Sequence, residues 1–135
     1  MNGLRRAALG GAGLVLFAAG FASGQQAAPT DFKGVRQTVL AKIDLAGEIR
    51  IVKDRDLRLT RATIAPSGHV PLHSHEGDPT IVYVLSGVLT NHQNGTVHEL
   101  HPGDVLAEFG PGSHWVENRG PDPAVYLAAN IHRRK

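Results

Sequence analysis

The sequence predicts an all-β protein, an antiparallel sandwich or small barrel made as one domain. Short runs of Val, Ile, Leu and Thr recur along residues 35–131, and Gly/Pro turns punctuate them roughly every 8–12 residues. No ten-residue stretch after residue 25 combines helical periodicity with caps. At 135 residues the chain has the length of a single domain, and 41% hydrophobic residues suffice for a core.

Residues 1–24 stand apart. Arg5 and Arg6 precede an uncharged, largely apolar run over residues 7–22, and Ala22-Ser23-Gly24 offers small residues to a signal peptidase. This three-part pattern predicts a secretory signal cleaved near Gly24, and export to the periplasm or medium of a bacterium. The run falls short of the ~20 residues that span a bilayer, so no stable membrane span is expected once the signal is removed. The paired arginines leave both the general and the twin-arginine route open. Removing residues 1–24 takes away two of the 14 Lys and Arg and none of the 12 Asp and Glu, which balances the charge. Without a basic surplus, nucleic-acid binding has no electrostatic support, and Arg133-Arg134-Lys135 reads as a solvated tail. The absence of Cys excludes disulfides, thiolate metal sites and a cysteine nucleophile.

The remainder divides into a leader with the first strands, residues 25–56, and a barrel, residues 57–132. Residues 25–33, with Pro29, form a loose leader. Residues 35–45, 49–52 and 57–65 read as strands; in the third, Leu57, Leu59, Arg61 and Thr63 alternate with Arg58, Thr60, Ala62 and Ile64. Pro66-Ser67-Gly68 predicts a turn. Residues 80–90 give the strongest strand, and its centre Ile81-Val82-Tyr83-Val84-Leu85 is apolar on both faces. Thr80, Val82 and Val84 then face inward, while Ile81, Tyr83 and Leu85 form a second apolar surface that predicts a homodimer. Asn94-Gly95 predicts a type I′ hairpin, which also accounts for the sequon-like Asn94-Gly95-Thr96. Pro102-Gly103-Asp104 leads into residues 105–109, Gly110-Pro111-Gly112 turns again, and residues 125–131 close the chain.

Seven of the eight histidines fall between His69 and His114. His73 and His75, two apart in an extended segment, point to one side about 6.6 Å apart along the chain, so their imidazoles can converge on one ion. His69, His92, His98, His101 and His132 lie in or near turns and the tail and read as surface groups. Trp115, next to His114, turns the opposite way and reads as packing.

The stretch Gly68-x₄-His73-x-His75-x₄-Thr80-x₆-Gly87 resembles the first motif of the cupin superfamily: Gly, His-x-His, Glu three or four residues on, and Gly. Gly103-x₅-Phe109-x-Pro111-x₂-His114-x₃-Asn118 resembles the second, Gly-x₅-Pro-x-Gly-x₂-His-x₃-Asn. The resemblance covers residues 57–131 and implies a cupin-type antiparallel jelly-roll β-barrel, commonly dimeric. It also implies one divalent transition metal (iron, manganese, zinc, nickel or copper) held by His73, His75 and His114 in an apolar cavity. Two departures stand out. Thr80 occupies the position of the metal-binding Glu, and Phe109 and Pro111 replace the second motif's Pro and Gly, with Gly110 and Gly112 displaced by one. A hydroxyl is a poor substitute for a carboxylate toward a hard cation. Three arrangements remain: three His plus water, a carboxylate from Asp78 or Glu76, or loss of the metal. Glu76 points away from the site in a regular strand, which gives Asp78 the better geometry.

Cupins include dioxygenases, isomerases, decarboxylases, lyases and binding modules, so the fold selects no reaction. The sequence supports metal-dependent chemistry on a small oxygen-donor molecule such as a diketone, enol or phenol. The alternative is a non-enzymatic module for a small molecule or metal. Glu108, Asp78 and the extra histidines are the acid/base candidates within the cavity, a meagre set that weighs toward binding.

Overall fold

One long strand, β2 (Arg55–Ser86), organises the barrel in the computed structural model, which describes residues 26–134. The expected signal, residues 1–24, lies outside the described residues. Before β2 come β1 (Lys33–Asp44) and the single-turn α1 (Leu45–Glu48); after it come β3 (Leu89–Gln93), β4 (Thr96–Leu100), β5 (Val105–Glu117) and β6 (Ala124–Arg133). Every strand pairing is antiparallel, the architecture expected of a jelly roll.

β2 serves both layers because it bends. Its first part, residues 55–64, lies between β1 and β6, and its last part, residues 80–86, lies between β6 and the start of β5. Its middle, residues 69–75, pairs instead with the second half of β5, which continues to β3 and β4. Between the layers pack Ala62, Ile64, Val70, Val82, Val84, Leu89, Val116, Ala124 and Tyr126. Alternation along β2 buries Thr80, Val82 and Val84, while Ile81, Tyr83 and Leu85 remain 56%, 45% and 42% exposed. The outer face is therefore apolar and open to solvent.

The motif glycines stand where only hydrogen fits. A Cβ on Gly68 would lie 2.6 Å from Lys33 O and 2.8 Å from Ala65 O. Gly87 adopts φ +70°, and its Cβ would meet Ala124 Cα at 2.7 Å. In the hairpin Asn94 and Gly95 have φ of 52° and 74°, and Gln93 pairs with Thr96, as a type I′ turn requires.

The strand boundaries correct three expectations. Residues 49–52 are not a strand: Asp44 caps α1 by accepting from Ala46 N at 2.8 Å, and the chain leaves through Ile49 N to Leu45 O and Val52 N to Ile49 O. One capped turn is too short to leave a periodic signal. The strand beginning near Thr80 stops at Ser86, because the left-handed Gly87 redirects the chain before β3. Pro66-Ser67-Gly68 and Gly110-Pro111-Gly112 bend strands rather than end them. Ser67 N donates to Asn118 O and Asn118 N to Gly68 O, which carries the ladder past the first bend. At the second, the register jumps from Ser74↔Ser113 to His75↔Gly110, leaving Pro111 and Gly112 as a bulge.

Gly87→Ala is expected to destabilise the fold by about 2 kcal/mol or more, lowering the thermal midpoint by roughly 8 °C. Gly47→Ala, where no heavy atom lies within 4 Å of the added Cβ, should leave it unchanged; thermal denaturation followed by circular dichroism compares the two.

Candidate metal centre

His73 and His114 are direct cross-strand partners on β2 and β5, and His75 follows His73 on the same face. Their Nε2 atoms meet at one point, with all three pairwise separations 3.1 Å. The opposite ring nitrogens are each engaged. Nδ1 of His73 donates to Pro71 O at 2.8 Å, and Nδ1 of His114 to Asn91 Oδ1 at 2.8 Å. Nδ1 of His75 lies 2.8 Å from Thr80 Oγ1 and 3.2 Å from Asp78 O, and the Thr80 hydroxyl itself donates to Asp78 O. In the neutral form, with the proton at Nδ1, each ring would present its Nε2 lone pair to the other two. Three acceptors facing one another repel unless a cation lies among them. Nitrogens about 2.1 Å from a common ion stand about 3.0 Å apart at right angles and about 3.4 Å apart in a tetrahedron, so the donor set fits one first-row metal ion.

The carboxylate beside this cluster comes from Glu108 on β5, the cross-strand partner of Thr80. Its Oε2 lies 3.0 Å from His75 Nε2 and its Oε1 2.9 Å from His114 Nδ1. Burial pushes the Glu108 carboxyl up, but hydrogen bonds and charge from His114 and His75 outweigh it and hold the group at about 2. The hydrogen bond that protonated His75 donates to Glu108 in turn raises His75. Burial lowers His73, favouring the neutral form that can ligate.

The other expected candidates are placed differently. Thr80 is buried on the Nδ1 side of His75, where it orients the ring. Asp78 turns its carboxylate to β6, accepting from Asn130 Nδ2 at 2.7 Å and lying 2.8 Å from His132 Nδ1. Glu76 is exposed. His98 and His101 are exposed as expected, but His92 is half-buried, with its ring 3.7 Å from that of Trp115 in a parallel stack and its Nε2 2.8 Å from Glu117. His69 is half-buried, with an Nε2 that has no hydrogen-bond partner. Asn118 is structural: Nδ2 donates to Ile64 O and Asp122 O, tying the β5–β6 turn to β2. Asn91 was not legible in sequence, because only the β3–β5 pairing sets it beside His114.

A cavity of about 280 Å³ opens onto the three histidines, Thr80 and Glu108. Its walls are mainly apolar, with Val70, Val82, Leu89, Leu106 and Val116, and a polar group from Arg58, Gln37, Tyr126 and Asn130. Burial raises the Tyr126 phenol to about 12, with the charge of Glu108 adding to the effect, so it remains neutral and protonated.

Residues 60–130 match the family Cupin_2, described as Cupin domain, and the chain belongs to the cupins. It is 37% identical over 71 residues to a Thermotoga maritima protein named "Oxalate-binding protein"; the match covers 53% of this chain and 59% of that relative's length. Among solved structures, a predicted oxalate decarboxylase from Thermotoga maritima superposes with a TM-score of 0.58 at 29% identity, covering 72% of this chain and 79% of that one. A cupin-2 domain from Rhodospirillum rubrum gives a TM-score of 0.62 over 81% of this chain and 70% of its own, at 18% identity, a likeness of fold alone. The protein is thus a cupin with a three-histidine cluster suited to a divalent metal ion.

The Glu108 contacts make a pH prediction for the chelator-treated protein. Its carboxyl is lowered from 4.5 to about 2, so its stabilisation is full above 4.5 and disappears as the pH falls toward 2. His75 is raised above 6.5, so its share is full below 6.5 and disappears as the pH rises through the raised value. Denaturant titrations should find the stability gap between wild type and Glu108→Gln widest between 4.5 and 6.5; a gap that does not vary with pH would contradict the pairing.

Proposed function

We propose that this cupin binds one divalent transition metal ion, with His73, His75 and His114 as nitrogen ligands and Glu108 as the carboxylate that Thr80 does not provide. The observation that carries this reading is the convergence of three Nε2 atoms, each backed by an acceptor at Nδ1, with the Glu108 carboxylate against two of the rings. Thr80 and Asn91 position His75 and His114. Bound there, the ion supplies Lewis acidity toward a small oxygen-donor molecule entering the apolar cavity. The Thermotoga relative's name supports a small oxygen-rich ligand of the oxalate type. With Glu108 committed to the centre, Asp78 to β6 and Tyr126 held protonated, the cavity has few groups to move protons, which favours binding. Turnover of the dioxygenase, isomerase or lyase kind is the second reading, supported by the cavity that opens directly onto the histidine cluster.

Metal analysis of the purified protein should give about one ion per chain, and His73→Ala/His75→Ala should abolish it. Glu108→Gln and Asn91→Leu should each weaken binding by about 10- to 100-fold while leaving the stoichiometry intact. Full metal retention in the double histidine variant would refute the site.

We also propose that the chain is exported, loses residues 1–24 and pairs through the outer face of Ile81, Tyr83 and Leu85, whose exposure supports a second copy as its cover. Mass spectrometry of the native protein should find a start near Gln25, and sedimentation should give twice that mass, with Tyr83→Asp shifting it to the monomer. Retention of Met1, or a wild-type monomer at micromolar concentration, would count against export or pairing respectively.

A further inference from the structure

Arg58 lies in the cavity wall with an orphaned nitrogen. Its Nε is buried and makes no hydrogen bond among the described residues, and the residue lines the same cavity as the three histidines. Two acids lie nearby. Asp56, two residues earlier on β2, lies 3.8 Å from Lys42 Nζ and 3.7 Å from Arg134, and its buried Oδ1 makes no hydrogen bond among the described residues; Glu108 lies against His75 and His114. A guanidinium in an apolar-walled cavity, short of a counter-ion, is poised for an anion, and its fork matches a carboxylate.

The sheet register fixes where this cation stands. Arg58 pairs with Asn130, Asn130 with Thr80, and Thr80 with Glu108, one row across four neighbouring strand segments, two of them from β2. Directly paired residues project to the same face, and all four line the cavity. Three strand spacings separate the Cα atoms of Arg58 and Glu108 by roughly 14 Å. Both side chains line the cavity from the ends of that row.

We propose that Arg58 is the specificity-determining group of this cavity, selecting small carboxylates that present oxygen donors to the three-histidine centre at one end and an anionic carboxylate oxygen to Arg58 at the other. The proposal rests on the metal-centred reading above and adds the residue that recognises the charge of the ligand. A neutral oxygen donor of the same size gains nothing from Arg58. An anionic one both meets the guanidinium fork and relieves its isolation.

The test uses the full mature chain loaded with cobalt(II), whose visible spectrum reports ligands entering the centre. Cobalt content is measured first. Wild type, Arg58→Met and Arg58→Lys are then titrated with oxalate and, separately, with imidazole, a neutral ligand for the same ion. Arg58→Met should lose about 10- to 100-fold in oxalate affinity, with imidazole affinity and cobalt content unchanged. Arg58→Lys, keeping the charge without the fork, should lose less; it also carries the test if the Met variant does not fold. Unchanged oxalate affinity in both variants, or an equal loss for oxalate and imidazole, overturns the role of Arg58 while the metal centre stands. A wild-type protein that takes up no cobalt overturns the metal-centred reading itself and this proposal with it.

Discussion

Three imidazoles hold their Nε2 atoms 3.1 Å from one another, and this convergence governs how the surrounding structure is built. Neutral rings do not adopt it unaided, because each would turn to solvent or to a donor. Here every ring is pinned from behind, by Pro71 O, by Asn91 Oδ1, or by Thr80 with Asp78 O. Two of those anchors are side chains, and Asn91 is fully buried, so the orientation is set by packing as much as by hydrogen bonds. Such a cluster is preorganised for a cation, and the buried carboxylate of Glu108 supplies part of the compensating charge.

Strand register delivers these groups to one place. Pairing of His73 with His114 joins the two motifs directly. Immediately beyond, the bulge at Pro111 and Gly112 shifts the register, so that His75 lies opposite Gly110, whose φ of +77° allows the bend. The displaced glycines of the second motif thus have a mechanical reading: they permit the bulge beside His75. Past it, Thr80 faces Glu108. The carboxylate beside the histidines comes from the neighbouring strand, one position across the ladder from Thr80. Thr80 itself lies on the Nδ1 side of His75 and orients that ring.

The charges within the cavity follow the same row. Arg58 and Glu108 stand at its two ends, with Asn130 and Thr80 between them. Asn130 is tied to Asp78, whose other oxygen meets His132, so the polar segment after His75 is fastened to β6 and kept out of the cavity. Asp78 therefore supports the wall, while Glu108 lies against the histidines and Arg58 lines the same cavity.

Much of the fold was legible in the sequence because it depends on local chemistry. Period-two alternation separated Val82 and Val84 from Ile81 and Tyr83, positive φ at Asn94 and Gly95 made the hairpin, and the resemblance to the two cupin motifs marked His73, His75 and His114. The glycines at positions 68 and 87 were visible too, though their reason, contact with Lys33 O and with Ala124 Cα, lies across the fold. What the sequence could not disclose was pairing between distant strands. Glu108 is 28 positions from Thr80 and Asn91 is 23 from His114, and neither spacing carries a signal. Only the ladders set Glu108 against the histidines, turn Asp78 away from them, and bring Arg58 into the same cavity. Side-chain period is a property of one strand, whereas register belongs to two, and register decides which groups meet.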